Sequence, residues 1–255
     1  HIDTIAQMLA HDSPDVRNEA VKVLGYASRG DGSAVSPYLS EILPFGRQTE
    51  TVPPVADIVQ NVARDEPEVA ADHLDDILPL TMCGDTNAAT SAFLSLYYIA
   101  KHDVEPVLDH IPTAVNLLSA DEENFHRSAA LLLGGISQQC PEAVEPHVEA
   151  LLTYVERDDE DEAYLHPAID ALYNIAQNNQ DALKDYLSRI EAVETNDSNV
   201  EHLIDKILSL YREMEIDDAD GDGDYSATGA VSPENKTYAT DDTQVSSADV
   251  LQSAE

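Results

Sequence analysis

Residues 92–100 read Ala92-Phe93-Leu94-Ser95-Leu96-Tyr97-Tyr98-Ile99-Ala100. A small residue leads, apolar residues follow four and seven places later, and a small residue closes the set at eight. Offsets of 0, 4, 7 and 8 fall on one face of an α-helix. The same frame recurs along the chain. Upstream it appears as Ala20, Leu24, Ala27, Ser28 and as Val55, Val59, Val62, Ala63. Downstream it returns as Ala129, Leu133, Ile136, Ser137, then as Ala168, Leu172, Ile175, Ala176, and in weaker form as Leu203, Ile207, Leu210, Tyr211. Successive copies are offset by 35, 37, 37, 39 and 35 residues. Self-similarity at such a period marks an array of stacked supersecondary units.

Each copy reads as the trailing helix of a pair. A leading helix falls between copies, its centre at Tyr38-Leu39, His73-Leu74, His110-Ile111, His147-Val148 and Tyr186-Leu187. Apolar residues such as Ile42, Ile77 and Leu151 follow at helical spacing. Pro53-Pro54 and Asp85-Thr86 open trailing helices, while Asp103 and Asn178-Asn179 close them. No stretch alternates with the two-residue period of a strand. The expected fold is all-α.

The stretch Asp12-Ser13-Pro14-Asp15-Val16-Arg17-Asn18-Glu19-Ala20, followed by Leu24-Gly25, resembles the HEAT-repeat pattern of an Asp/Pro turn, Val-Arg, and spaced Ala and Leu. Only the first repeat keeps Val-Arg, so the resemblance is to HEAT/armadillo-type repeats in general. It covers roughly residues 2–214. The tetratricopeptide and ankyrin patterns are absent. The resemblance implies a right-handed α-solenoid of about six helix pairs with a curved, open surface. The leading segment Ile2–Leu9 enters the first repeat abruptly at His1, which leaves open whether further repeats precede it.

Composition bounds function. Fifty acidic residues face thirteen basic ones, giving a formal net charge of −37. Such self-repulsion is largely screened at molar salt, where the Debye length is about 3 Å. Abundant Asp and Glu with scarce Lys resembles salt-adapted archaeal proteins, and a cytoplasmic, halophilic setting is expected; the alternative is an acidic protein that binds basic partners at ordinary salt. With no basic stripe to release counterions, direct nucleic-acid binding is not expected. No apolar run approaches the roughly 18 residues of a membrane span. Cys83 and Cys140 lack metal-site spacing and read as reduced thiols. From Asp217 onward Gly, Ser, Thr and Asp dominate. The chain thus divides into a repeat domain, 1–216, and an acidic tail, 217–255, expected to be disordered.

Candidate sites follow from the frame. His73, His110 and His147 share one position in successive repeats. Helices packed about 8–10 Å apart cannot bring them to one zinc ion, so a packing ladder of rings is expected. Asp218, Asp220, Asp222 and Asp224 resemble the start of a calcium loop, but position 12 is Gly229 where a bidentate Glu is needed, leaving at most weak cation binding. No nucleophile elbow, phosphate loop or zinc-protease motif appears. No cofactor and no catalysis are expected.

Five and six residues into each frame stand Gly25-Tyr26, Gln60-Asn61, Tyr97-Tyr98, Gly134-Gly135 and Tyr173-Asn174. Armadillo proteins hold peptides with a similar row. The expected partner-binding groove is Tyr26, Gln60, Asn61, Tyr97, Tyr98, Tyr173 and Asn174. The expected function is a protein-binding scaffold. The alternative is a nucleic-acid-linked or lyase-like HEAT enzyme, which would need a basic cleft or a chromophore site.

Overall fold

Six long helices dominate the computed structural model, which describes residues 1–119, 123–157 and 165–220. They are α1 (Pro14–Gly30), α2 (Val52–Asp65), α3 (Thr86–His102), α4 (Glu123–Ser137), α5 (Leu165–Asn178) and α6 (Ser198–Asp220). Each carries one copy of the frame. No strand occurs among the described residues.

The frame is the core. Its fourth-place residue is sealed in every copy: Leu24, Val59, Leu133, Leu172 and Ile207 have no exposed surface, and Leu96 keeps 1%. Burying each such side chain stabilises the fold by about 1.5–3 kcal/mol. The eighth place is small in five copies because the neighbouring helix passes closely there, and Ser28, Ala63, Ala100, Ser137 and Ala176 are all buried. From α1 to α5, consecutive long helices make the most extensive contacts among the described residues, and the leading segments pack behind them as a second layer. α1 has such a neighbour on one side only. Val23, three places into its frame, is 43% exposed, whereas its counterparts Ile58, Ser95, Leu132 and Ala171 are fully buried.

Helix ends follow local chemistry. Pro14 opens α1, and the Asp85 side chain caps α3 by accepting from the Ala88 N–H at 2.9 Å. After α2 and α4 the chain leaves the helical region at Glu66 and Cys140, with ψ of 70° and 66°, because Pro67 and Pro141 disfavour helical geometry in the preceding residue. Asp31, Asp103 and Asn179 end α1, α3 and α5 in the extended region.

The leading helices differ from expectation. Each is broken in two at its ring residue. Glu105–His110 is followed by Ile111–Leu118, Glu145–His147 by Val148–Val155, and Gln180–Tyr186 by Leu187–Glu191. Tyr38, His73, His110, His147 and Tyr186 all sit between φ −99° and −116° with ψ between −2° and 17°. This is the bridge region, where a chain changes direction. The expected ladder of rings is therefore a series of separate kinks, and among the described residues no ring stacks on the next. Tyr38 instead donates to Asp3 at 2.5 Å, and Tyr186 lies under the Arg189 guanidinium at 5.8 Å.

The chain divides into two units, His1–Tyr211 and Arg212–Glu255. The described part of the second unit is the end of α6. That helix runs through Asp220, past the compositional boundary after residue 216. Asp218 and Asp220, the first two residues of the expected cation loop, fall on this helical backbone. Asp222 and Asp224 lie outside the described residues. Among the described residues no three His, Cys, Asp or Glu side chains gather as a metal site.

Candidate partner-binding face

The side of the long helices turned away from the leading segments is open, and the joints between helices shape it. Two joints, α1–α2 and α4–α5, are built alike. The Asn61 amide donates to the Ser28 hydroxyl at 3.1 Å, and Ser28 donates to the Gly25 carbonyl at 2.9 Å. Asn174 donates to Ser137 at 3.1 Å, and Ser137 to the Gly134 carbonyl at 2.7 Å. Gly25 lies against Pro54 and Gly134 against Pro167, where a Cβ would come within 3.3 Å and 2.8 Å of the neighbour. Arg29 pairs with Asp57 at 2.9 Å, and Gln138 donates to Asp170 at 3.2 Å.

The central joints carry different residues. At α3–α4, Tyr97 occupies the glycine place and Gly135 the asparagine place. The Tyr97 ring lies directly on Gly135, 2.8 Å from where a Cβ would stand. Tyr97 and Tyr98 form a tilted pair with ring centroids 5.5 Å apart. Burial pushes both hydroxyls above the ordinary tyrosine range, helped at Tyr97 by the charge of Asp170 and opposed at Tyr98 by Arg64.

The seven expected groove residues therefore separate into two kinds. Tyr26 (70% exposed), Gln60, Tyr97, Tyr98 and Tyr173 face the open side. Asn61 is buried, and Asn61 and Asn174 commit their amide donors to serines of the preceding helix. They fasten repeats together. Tyr26 and Tyr173 flank the Tyr97–Tyr98 pair on either side along the array, so the tyrosines form a sparse row with one dense centre.

A second row lies nine places into the frame: Arg29, Arg64, Lys101, Gln138 and Gln177. A frame that closes at place eight misses it; one further residue in the same register exposes it. Arg29 lies over Tyr26 at 5.4 Å and Lys101 over Tyr97 at 5.6 Å. Arg64 is held by Asp65 at 2.9 Å, and that guanidinium, with the Gly32 N–H, draws the Asp65 carboxyl below its usual range against the opposing effect of burial. The helix at the centre of the face, α3, carries no acid of its own. Nearly one residue in five of the chain is Asp or Glu (50 of 255), yet α3 has none in 17 residues. Its open positions are Thr90, Leu94, Tyr97, Tyr98 and Lys101.

No family model and no curated protein matches the chain. Solved structures do. It is similar to an engineered protein from a structural genomics programme, with a TM-score of 0.70 and 20% identity over 83% of this chain and 96% of that one. It is also similar to Kap121p, a HEAT-repeat karyopherin crystallised bound to RanGTP, with a TM-score of 0.53 and 14% identity. There the match takes in 84% of this chain but 26% of that one. The fold is that of a helical-repeat solenoid. Among the described residues the solenoid has no helix long and apolar enough to cross a membrane.

Proposed function

We propose that this protein is a non-catalytic scaffold that binds a segment of another protein on the open face of its long helices, with α3 at the centre. The observation that carries the reading is the Tyr97–Tyr98 pair beside Leu94 on a helix without acid. Tyrosine presents a rigid, flat contact surface with a polar tip at low entropic cost, which suits recognition. A polypeptide that coats its other surfaces with carboxylate and leaves this strip aromatic and apolar has a surface made to be covered. The HEAT/armadillo-type array of about six pairs supplies the rigid support. The charge of −37 suits work in a salt-rich cytoplasm, where screening shortens repulsion.

The test is a photo-crosslinking residue placed at Leu94, compared with one at the exposed Asp109 of a leading segment, in cells at their native salt. A discrete protein adduct at Leu94, absent at Asp109 and lost with Tyr97→Ala and Tyr98→Ala, is expected. Equal adducts at both positions, or nucleic acid or a small molecule recovered from Leu94 in place of protein, would sink the proposal.

A further inference from the structure

The chemistry of the occupant can be narrowed, and this step rests on the docking role just proposed for the face. We infer that the face takes an extended acidic segment of a partner protein, its carboxylates set against Arg64 and Lys101 and its apolar side chains against Leu94, Tyr97 and Tyr98.

Charge complementarity carries the inference. Only 13 residues of the chain are basic. Three of them, Arg29, Arg64 and Lys101, occupy the same place in three consecutive helices. Cations in the last turn of a helix complement its dipole, which accounts for their sign. The dipole does not account for the company Lys101 keeps. In a protein with carboxylates in such excess, Lys22 and Lys184 each pair with an acid, Glu19 and Asp181, at 2.8 and 3.1 Å. Lys101 makes no ion pair among the described residues and lies over Tyr97, as Lys206, likewise without an ion pair there, lies over Tyr173 at 5.5 Å. The acid that would neutralise it is missing from the whole open side of α3.

Polar capacity points the same way. Gln60 and the hydroxyls of Tyr97 and Tyr98 have no hydrogen-bond partner among the described residues, so donors stand ready beside the cations for a backbone or a carboxylate. A purely apolar segment would cover Lys101 without countercharge, which is costly, whereas Arg64 already has Asp65 beside it. A basic segment would set cation against cation. An acidic segment with interspersed apolar residues satisfies both halves of the strip. The long-range repulsion between such a segment and an acidic protein fades at molar salt, while contacts at hydrogen-bond distance persist.

The test is fluorescence anisotropy of the full chain at about 1 M salt, where the Debye length is about 3 Å. The probe is a fluorescein-labelled peptide alternating glutamate and leucine, with glutamine and lysine versions beside it. The glutamate peptide is expected to bind about tenfold more tightly than the glutamine one, and Lys101→Glu to weaken it by about tenfold or more. Lys101→Gln, which leaves folding undisturbed at an exposed site, should give a smaller loss in the same direction. Lys184→Glu, away from the face, should change nothing. If the glutamate and glutamine peptides bind equally, and Tyr98→Ala abolishes both while Lys101→Glu affects neither, the acidic class is wrong and the docking face survives. If no peptide binds, the inference and the docking face fall together. A single-stranded oligonucleotide that outcompetes the glutamate peptide, with Lys101→Glu removing that advantage, would overturn the inference in favour of a phosphate ligand.

Discussion

Gly134 and Gly135 are neighbours in one helix, and adding the same methyl group to each should have opposite consequences. Replacing glycine by alanine inside a helix gains up to about 1 kcal/mol from backbone entropy. Both sites lie in α4, so this gain is shared and cancels in the comparison. The obstacles differ. At Gly134 the new Cβ would stand 2.8 Å from the carbonyl oxygen of Pro167, an atom fixed in the backbone at the start of α5. Relief requires α4 and α5 to separate, and overpacking of that kind costs about 1–3 kcal/mol. Gly134→Ala should therefore destabilise by about 1–2 kcal/mol net. At Gly135 the obstacle is the Tyr97 ring, 2.8 Å from Cδ2 and 3.1 Å from Cε2. That ring is half-exposed and can swing outward. Gly135→Ala should leave stability unchanged or raise it slightly while displacing Tyr97 from its seat. Urea melts at constant salt read the difference directly, with near-ultraviolet circular dichroism reporting the tyrosine. Equal destabilisation of the two variants would refute the argument, because it would mean that Tyr97 is as immovable as backbone. Gly135→Ala should also weaken any partner held by Tyr97, which separates loss of binding from loss of fold.

Lowering salt from about 1 M to about 0.1 M lengthens the Debye length from about 3 to about 10 Å, so the melting temperature should fall; no change would remove the argument from charge. Arg189 grips Glu156 at 2.6 Å and Glu149 at 2.8 Å. After allowance for solvent screening, Arg189→Gln should cost about 1 kcal/mol in thermal melts at low salt and less at high salt. The guanidinium holds the Glu156 carboxyl below its ordinary 4.5, so this stability is present above that value and is lost as pH falls through the depressed one. A stability–pH curve for Arg189→Gln should accordingly be flatter in the acid limb, and an unaltered limb would dismiss the pair. Asn61→Ala should cost about 1–2 kcal/mol, and a double-mutant cycle with Ser28→Ala should return a coupling of about 1 kcal/mol. Strict additivity would show that the two do not share a bond.

The core of the repeat is legible because it is periodic and apolar. Ala92, Leu96, Ile99 and Ala100 announce a buried stripe whatever they pack against, and all four are buried. The break in each leading helix is not legible. Apolar spacing continues across it, from Val35 to Leu39, while the change of direction lies in backbone angles at Tyr38 that no hydrophobic pattern records. Residue type alone makes Asn61 and Asn174 look like peptide-holding amides. Their bonds to Ser28 and Ser137 follow from which helix lies beside which, and residue type is silent on that. Tyr97 and Tyr98 stand out in the sequence, but the freedom of the Tyr97 ring to lie flat depends on Gly135, in the next long helix. The row of Arg29, Arg64 and Lys101 needs only a longer frame.

The two like joints have a consequence for how such a chain changes length. Gly25, Ser28 and Arg29 offer α2 the same socket that Gly134, Ser137 and Gln138 offer α5, and Pro54, Asp57 and Asn61 are the same plug as Pro167, Asp170 and Asn174. The trailing edge of α4 is thus cut to receive the leading edge of α2. A gene segment encoding the block from α2 through α4 can be duplicated, or dropped, and the ends that meet are already mated. Each added copy would bring another aromatic centre, so the array extends its reach by whole cassettes without inventing a new seam.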